Sequence, residues 1–340
     1  MTSIILGNGN NLSVSDDNSN GDTIILGNGT NDLVSADVSQ YDTITLGNGA
    51  GDAVYLDGAF GDTITLGNGD GDTVNAVNNE SDTSGSDDTI TLGNGAGDAV
   101  NLESIVGTTF TLGNGAGDKV DINSGYDNEF NTISLGNGDG DSVYVFVSAL
   151  FNTITLGNGA QDSVDLEDFG HETVKVGNGK GDTVDIGTAN SDNNTITLGN
   201  VNGDAVDIVA GNSDNITLGN GNGDVVNDFG LGQYTTGNTI TVGNGNDTIY
   251  AGNSDTITVG AGHDSFIFEQ TTAGDIGAVT INHFQPSLDV ITLFRQLTTS
   301  VSYRDNAQGN AVISVDNAGD TVMLLGVHSS ALQPSNFRFV

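Results

Sequence analysis

The chain has 340 residues, with 45 acidic against 6 basic side chains, a formal net charge of -39, no Cys, no Trp, 2 Pro and 51 Gly. Glycine at this level with so little proline excludes collagen, regularly placed Ile, Leu and Val exclude simple disorder, and no apolar run is long enough to span a bilayer. With so few basic residues to neutralise phosphates, nucleic acid is not an expected partner.

The acid is of one kind, 39 Asp against 6 Glu. Short carboxylates among glycines suit turns and hard-cation ligation, and a compact chain of this charge repels itself unless a bound cation offsets it. The lack of Cys excludes disulfide staples and a thiol nucleophile. Met1 to Leu6 enters the repeats without the basic start and apolar core of a signal peptide.

From there the chain is a repeat. Leu-Gly-Asn-Gly or a close variant begins at Leu6, Leu26, Leu46, Leu66, Leu92, Leu112, Leu135, Leu156, Val176, Leu198, Leu218 and Val242, most often 20 residues apart. Longer intervals, such as the one holding Asn78 to Asp87, read as loops inserted on one side. One unit runs Asp62-Thr63-Ile64-Thr65-Leu66-Gly67-Asn68-Gly69-Asp70-Gly71, then Asp72-Thr73-Val74-Asn75-Ala76. Both halves alternate with period two, placing Ile64, Leu66 and Val74 on one side and Thr63, Thr65, Thr73 and Asn75 on the other, the pattern of half-buried strands. Two short strands joined by a glycine turn make one coil of an all-β parallel β-roll or β-solenoid. A single coil's apolar face is too small to stand alone, so about twelve stacked coils supply the core, in a rod on the order of 60 Å long.

Two rows of polar residues recur. After the glycine turn come Asp32, Asp52, Asp72, Asp98, Asp118, Asp141, Asp162, Asp182, Asp204 and Asp224 without substitution, with Leu12 in their place in the first coil. The row opening the Thr-Ile-Thr strand reads Asp22, Asp42, Asp62 and Asp88, then Thr108, Asn131, Asn152, Glu172 and Asn194. The first row therefore needs a carboxylate, and the second only a polar turn residue. For the first row the choice is between a solvated acidic face and ion ligation; a stack of carboxylates about 4.8 Å apart favours ligation, and its oxygen ligands suit calcium. The Asn of each Gly-Asn-Gly, from Asn8 to Asn244, suits an amide ladder between coils, and a solenoid held by that ladder with no ion is the alternative.

The outward pairs Thr43/Thr45, Thr63/Thr65, Thr89/Thr91, Thr153/Thr155, Thr195/Thr197 and Thr256/Thr258 stack into two files, interrupted at Phe110, Ser134 and Lys175. They resemble the threonine arrays of ice-binding solenoids, although Thr is also simply a good residue for an exposed strand. Catalytic signals are missing: His171-Glu172 lacks the second His of a zinc protease helix, Asp82-Thr83-Ser84-Gly85 is not an aspartic protease loop, and His171, His263, His283 and His328 are scattered. The expectation is a protein that is not an enzyme.

The last coils, Gly243-Asn244-Gly245-Asn246-Asp247-Thr248-Ile249-Tyr250 and Gly260-Ala261-Gly262-His263-Asp264-Ser265-Phe266-Ile267-Phe268, resemble the RTX, or hemolysin-type calcium-binding, repeats. The main array differs in having half-units of ten residues and the glycine turn on one edge only, as in Gly47-Asn48-Gly49-Ala50-Gly51-Asp52. The resemblance implies several Ca²⁺ ions bound by the Asp row, with Asp247 and Asp264 continuing it, and by turn carbonyls such as those of Gly47, Gly49, Gly67, Gly69, Gly243, Gly245, Gly260 and Gly262. From about Ala278 the segment Ile281-Asn282-His283-Phe284-Gln285-Pro286-Ser287-Leu288-Asp289-Val290-Ile291-Thr292-Leu293, the stretch Gly319 to Val327 and the ending Leu332 to Val340 are similar to the end of serralysin-like secreted proteins. That implies export by a type I secretion system reading an uncleaved C-terminal signal.

The expected organisation is 1-277 as calcium-binding repeats and 278-340 as a C-terminal β cap with secretion signal. The expected function is a secreted, calcium-dependent structural protein of the cell surface, matrix or a filament, which folds on Ca²⁺ binding after export. Its expected partners are the secretion machinery and other copies of itself, docked head-to-tail through the uncapped first coil. The alternatives are an ice-binding solenoid and a secretion and folding tail of a larger RTX enzyme or adhesin.

Overall fold

The computed structural model describes residues 2–16, 18, 20–77, 86–123, 128–146, 149–167, 170–187, 191–228, 235–268, 276–294, 300–315 and 319–340. Most of the inserted loop after Asn78, including 82–85, lies outside the described residues. The chain is an all-β parallel solenoid of about twelve coils, and its two compact units are Met1–Gly179 and Lys180–Val340.

In the first unit, strands Ser3–Ile5, Thr23–Ile25, Thr43–Thr45, Thr63–Thr65, Thr89–Thr91, Thr109–Thr111, Thr132–Ser134, Thr153–Thr155 and Thr173–Lys175 stack in parallel, each coil in register with the next. The second strand of each coil forms a second parallel sheet, from Ser13–Ser15 through Leu33–Asp37, Ala53–Asp57, Thr73–Val77, Ala99–Glu103, Lys119–Ile122 and Ser142–Phe146 to Ser163–Glu167. The period-two reading holds in detail. Ile44, Leu46, Val54 and Leu56 of one coil are buried, and the same four places recur as Ile64, Leu66, Val74 and Ala76 in the next. Apolar side chains thus pack on apolar side chains along each file, often identical ones, which is how the short apolar face of one coil finds its partner.

One expectation is corrected here. Phe110 does not interrupt the threonine files: it is fully buried, in register with Ile90 and Ile133, and its neighbours Thr109 and Thr111 carry the outer files through. A larger apolar side chain at that place is a core substitution, which the alternation of the strand already implies.

The second unit repeats the plan with Thr195–Thr197, Asn215–Thr217, Thr239–Thr241 and Thr256–Thr258 in one sheet and Thr183–Ile186, Ala205–Ile208, Val225–Asn227, Thr248–Tyr250 and Ser265–Phe268 in the other. The segment expected as a cap continues this stacking. Ala278–Asn282 pairs in parallel with Thr256–Thr258, and Val290–Leu293 with Ser265–Phe268. The hairpin Ser302–Asp305/Ala311–Ser314 then joins Thr321–Leu325 antiparallel, and Phe337–Phe339 closes on Val290–Leu293. No helix among the described residues is long and apolar enough to cross a membrane.

Candidate functional site

Each aspartate of the unsubstituted row shares parity with the core valine two residues later, so it points inward, behind the glycine turn. Asp52, Asp72, Asp98, Asp118 and Asp141 are fully buried, as are Asp162, Asp182, Asp204 and Asp224, and Asp32, Asp247 and Asp264 are 1% exposed. This rules out a solvated acidic face. One carboxylate oxygen is committed to the backbone: Oδ1 of each aspartate accepts the backbone N–H of its counterpart one coil earlier. The contacts run from Asp32 N–H to Asp52, Asp52 to Asp72, Asp72 to Asp98, Asp98 to Asp118 and Asp118 to Asp141, all at 2.9 to 3.0 Å. In the second unit Asp204, Asp224 and Asp247 donate in the same way to Asp224, Asp247 and Asp264 at 3.1 to 3.2 Å.

The other oxygen is left over. Oδ2 of Asp32, Asp52, Asp72, Asp98, Asp118, Asp141, Asp204, Asp224, Asp247 and Asp264 is buried without a hydrogen-bond partner. A buried carboxylate oxygen without a partner is costly, and ten of them repeated along the stack require a counter-charge or a proton. Burial, opposed by the donated backbone N–H, pushes Asp72, Asp118 and Asp264 up to about 7 and Asp98, Asp204 and Asp247 up to about 6. Neighbours in the row add to the rise, Asp98 and Asp52 acting on Asp72 and Asp141 and Asp98 on Asp118.

The glycine turn makes room for these carboxylates. A Cβ on Gly29 would lie 2.8 Å from Oδ2 of Asp32, and one on Gly221 would lie 2.5 Å from Oδ2 of Asp224. The third-place glycine is therefore a cradle for the carboxylate as well as a stacking contact, since a Cβ on Gly69 would sit 1.6 Å from the carbonyl oxygen of Gly49. The first-place carbonyls each accept one N–H of the ladder: Gly67 N–H donates to Gly47 O at 2.9 Å and Gly260 N–H to Gly243 O at 3.0 Å, which leaves one lone pair on each. The left-handed residue of the turn is instead the fifth-place glycine just before the aspartate, as at Gly71 with φ +73. Of the residues expected to ligate calcium, the aspartates thus retain a spare oxygen, whereas the Gly47 and Gly243 carbonyls each already accept one hydrogen bond. Among the described residues, no three His, Cys, Asp or Glu side chains gather as a self-contained metal cluster.

Outside the turn, the asparagines form the expected amide ladder. Nδ2 of Asn68, Asn94, Asn114 and Asn137 donates to Oδ1 of Asn48, Asn68, Asn94 and Asn114 at 2.7 to 2.9 Å, and the backbone N–H of each donates to the same oxygen.

The second polar row is a natural comparison for the first. It is equally buried and does the same capping: Asp42 N–H donates to Asp62 Oδ1, Asp88 N–H to Thr108 Oγ1, Thr108 N–H to Asn131 Oδ1 and Asn131 N–H to Asn152 Oδ1. Here the second side-chain atom more often finds a partner in the protein, as the Asn131 amide donating to Ile105 O at 2.8 Å and Asp62 Oδ2 accepting from the Ser39 hydroxyl, although Oδ2 of Asp214 is buried without one. Capping a coil therefore does not require a carboxylate, because Thr and Asn perform it. The aspartates opposite do not vary from coil to coil, although capping uses only one of their two oxygens.

The structure adds one member to the row. Asp289 accepts the N–H of Asp264 on Oδ1 at 3.0 Å, while its Oδ2 accepts the N–H of Gln285 at 2.7 Å, so the series ends in a carboxylate satisfied by the protein alone. Asp289-Val290-Ile291 repeats the phase of Asp264-Ser265-Phe266, the signal that could have found it. Of the histidines, His171 stacks on Phe151 at 5.0 Å between ring centres, His328 lies 3.6 Å from Asp305, and His283 contacts Val259 O at 3.3 Å. None belongs to the aspartate row.

In comparisons with known proteins, no family model and no curated relative matches the chain.

Proposed function

We propose that this chain is a secreted structural protein of the cell surface, matrix or a filament, whose solenoid folds when calcium fills the inner aspartate row. The observation that carries the reading is the set of ten buried, partnerless Oδ2 atoms, set against a second row in which Asn and Thr cap equally well. A calcium ion supplies the positive charge that a stack of buried carboxylates lacks, and Oδ2 of Asp52, Asp72, Asp98, Asp118, Asp141, Asp204 and Asp224 would hold it. The chain's own residues do the rest. Oδ1 fixes each carboxylate against the coil before it, the third-place glycine keeps the space beside it open, and the core files bury it from water. In low calcium the row repels itself and the chain stays expanded for export; in millimolar calcium the repulsion is neutralised and stacking proceeds.

The similarity of residues 278-340 to the ends of serralysin-like proteins supports export by type I machinery. Self-association is part of the same proposal. A further copy docked head-to-tail would add its strands to the parallel sheet that holds Ser3–Ile5 and Thr23–Ile25.

The test is a calcium titration of EDTA-stripped protein followed by circular dichroism and light scattering. A coil-to-β transition followed by rising scattering supports the proposal. A β spectrum indifferent to calcium removes the ion from the mechanism and leaves the amide ladder as the axial support.

A further inference from the structure

The outer face of the first strand sheet is chemically unlike the rest of the molecule. Over residues 23–175 one outward file is threonine in every coil from Thr23 to Thr173, and the other reads Ile25, Thr45, Thr65, Thr91, Thr111, Ser134, Thr155 and Lys175. In a chain of net charge -39 this face carries no acid. The opposite sheet of the same unit provides the comparison. Its equivalent outward places include Tyr55, Asn101, Lys119, Asp121, Tyr144 and Asp165, so a preference for good strand residues does not by itself fill an outer face with threonine.

An exposed face that repeats one side chain at every step, with no bond within the protein to account for it, matches a ligand that is itself periodic, because an ordinary protein surface would select different residues along its length. The grid has steps of about 4.8 Å between coils and about 6.7 Å along each strand, on the scale of oxygen spacings at the surface of hexagonal ice. Threonine's branched Cβ holds hydroxyl and methyl in a narrow range of rotamers, so the grid is ordered before anything binds. Among the described residues no hydroxyl of these two threonine files is used in a hydrogen bond within the protein, which leaves them to water. Charge argues against two other occupants, since a polyanion or a polycation finds almost nothing to pair with here. A crystalline polysaccharide is recognised largely through aromatic platforms, and the exposed rings nearest this face, Tyr41 and the stacked Phe130 and Phe151, sit at the turns beside the threonine files and not among them.

We propose that the threonine sheet of residues 23–175 is an ice-binding surface that adsorbs to the lattice through ordered water on its hydroxyl and methyl grid. This reading is independent of the aspartate row, which faces the interior. The test uses the full-length protein, in whichever calcium condition gives a β spectrum, in ice-affinity partitioning and thermal hysteresis measurements. Wild type is expected to enter the ice fraction and shape growing crystals. Thr63→Tyr with Thr109→Tyr puts two protrusions on the flat face and is expected to abolish both effects, while Asn101→Tyr on the opposite sheet leaves both intact. Should the tyrosine variant fail to fold, Thr63→Val with Thr109→Val keeps the branch, removes the hydroxyls, and is still expected to weaken partitioning. Exclusion of wild type from ice overturns the proposal, as does equal loss in Asn101→Tyr. Retention on insoluble cellulose or chitin without ice binding likewise overturns it and assigns the face to polysaccharide.

Discussion

Replacing Asp118 by Asn should change the sign of its effect with calcium. Asp118 is fully buried; its Oδ1 accepts Asp98 N–H at 3.0 Å and its Oδ2 has no partner. Asn keeps the accepting oxygen and replaces the idle one by an amide that can donate to a neighbouring carboxylate. In EDTA at about pH 8 the wild-type group is ionised although burial pushes it up from 3.8 to about 7. That displacement corresponds to about 4 kcal/mol at full strength; screening by water at the turn reduces it, and we expect a stabilisation of about 2 kcal/mol for Asp118→Asn. In millimolar calcium the same change removes a ligand from an occupied row and should cost about 2 kcal/mol or more, with a raised calcium midpoint. Asp118→Ala separates the two roles: it also removes the charge but abandons Asp98 N–H, so in EDTA it should be about 1 to 3 kcal/mol less stable than Asp118→Asn, and in calcium less stable than wild type. The assay is thermal and urea unfolding by circular dichroism, with and without calcium. Asp118→Asn that is no more stable than wild type in EDTA, or that shifts both conditions alike, refutes the argument that the second oxygen awaits a cation.

Acid should replace calcium. Because Asp72, Asp118 and Asp264 are raised to about 7 against 3.8 for an unperturbed carboxylate, the folded chain holds more protons than the unfolded one. Their contribution is complete below about pH 4 and lost as pH rises through about 7, so EDTA-stripped protein should gain β signal on acidification, whereas calcium-loaded protein should show little change. Asp22 and Asp305, held low chiefly by backbone N–H groups, oppose this only at the acid end. Among the glycines, Gly69→Ala places a Cβ 1.6 Å from Gly49 O and should disrupt stacking, while Gly71→Ala at φ +73 meets open space and should cost about 1 to 2 kcal/mol; comparable melting losses would contradict the stacking argument. Asn114→Ala removes its side-chain hydrogen bond to Asn94 and the two that Asn137 donates to its Oδ1, and should lower stability by about 1 to 3 kcal/mol without moving the calcium midpoint, as a titration would report.

The strands, their inward and outward faces and the amide ladder were legible in the sequence because each depends on local period and on repetition. The orientation of Asp52 was also encoded, in its parity with Val54 and Leu56, yet an acidic residue beside glycines reads naturally as a surface turn. What sequence alone could not supply is the division of labour between two carboxylate oxygens, since that depends on a backbone N–H twenty residues away, as between Asp32 and Asp52. The engagement of the Gly47 and Gly243 carbonyls was hidden for the same reason: it exists only between coils. Phe110 looked like a defect in the outer files because residue type was weighed above phase.

The two ladders run in opposite directions. Aspartate Oδ1 of a later coil receives the N–H of the earlier one, as from Asp98 to Asp118, whereas asparagine Oδ1 of an earlier coil receives the N–H of the later one, as from Asn114 to Asn94. Each exposed end of a growing stack therefore presents a different ready-made acceptor. A coil added on the N-terminal side meets waiting carboxylates, and one added on the C-terminal side meets waiting amides. A coil added at either end closes one rung of each ladder, but it brings the donor to one and the acceptor to the other, and the two roles swap between the ends. The stack is therefore polar in its chemistry as well as in its chain direction, and its two ends are not interchangeable as sites of growth.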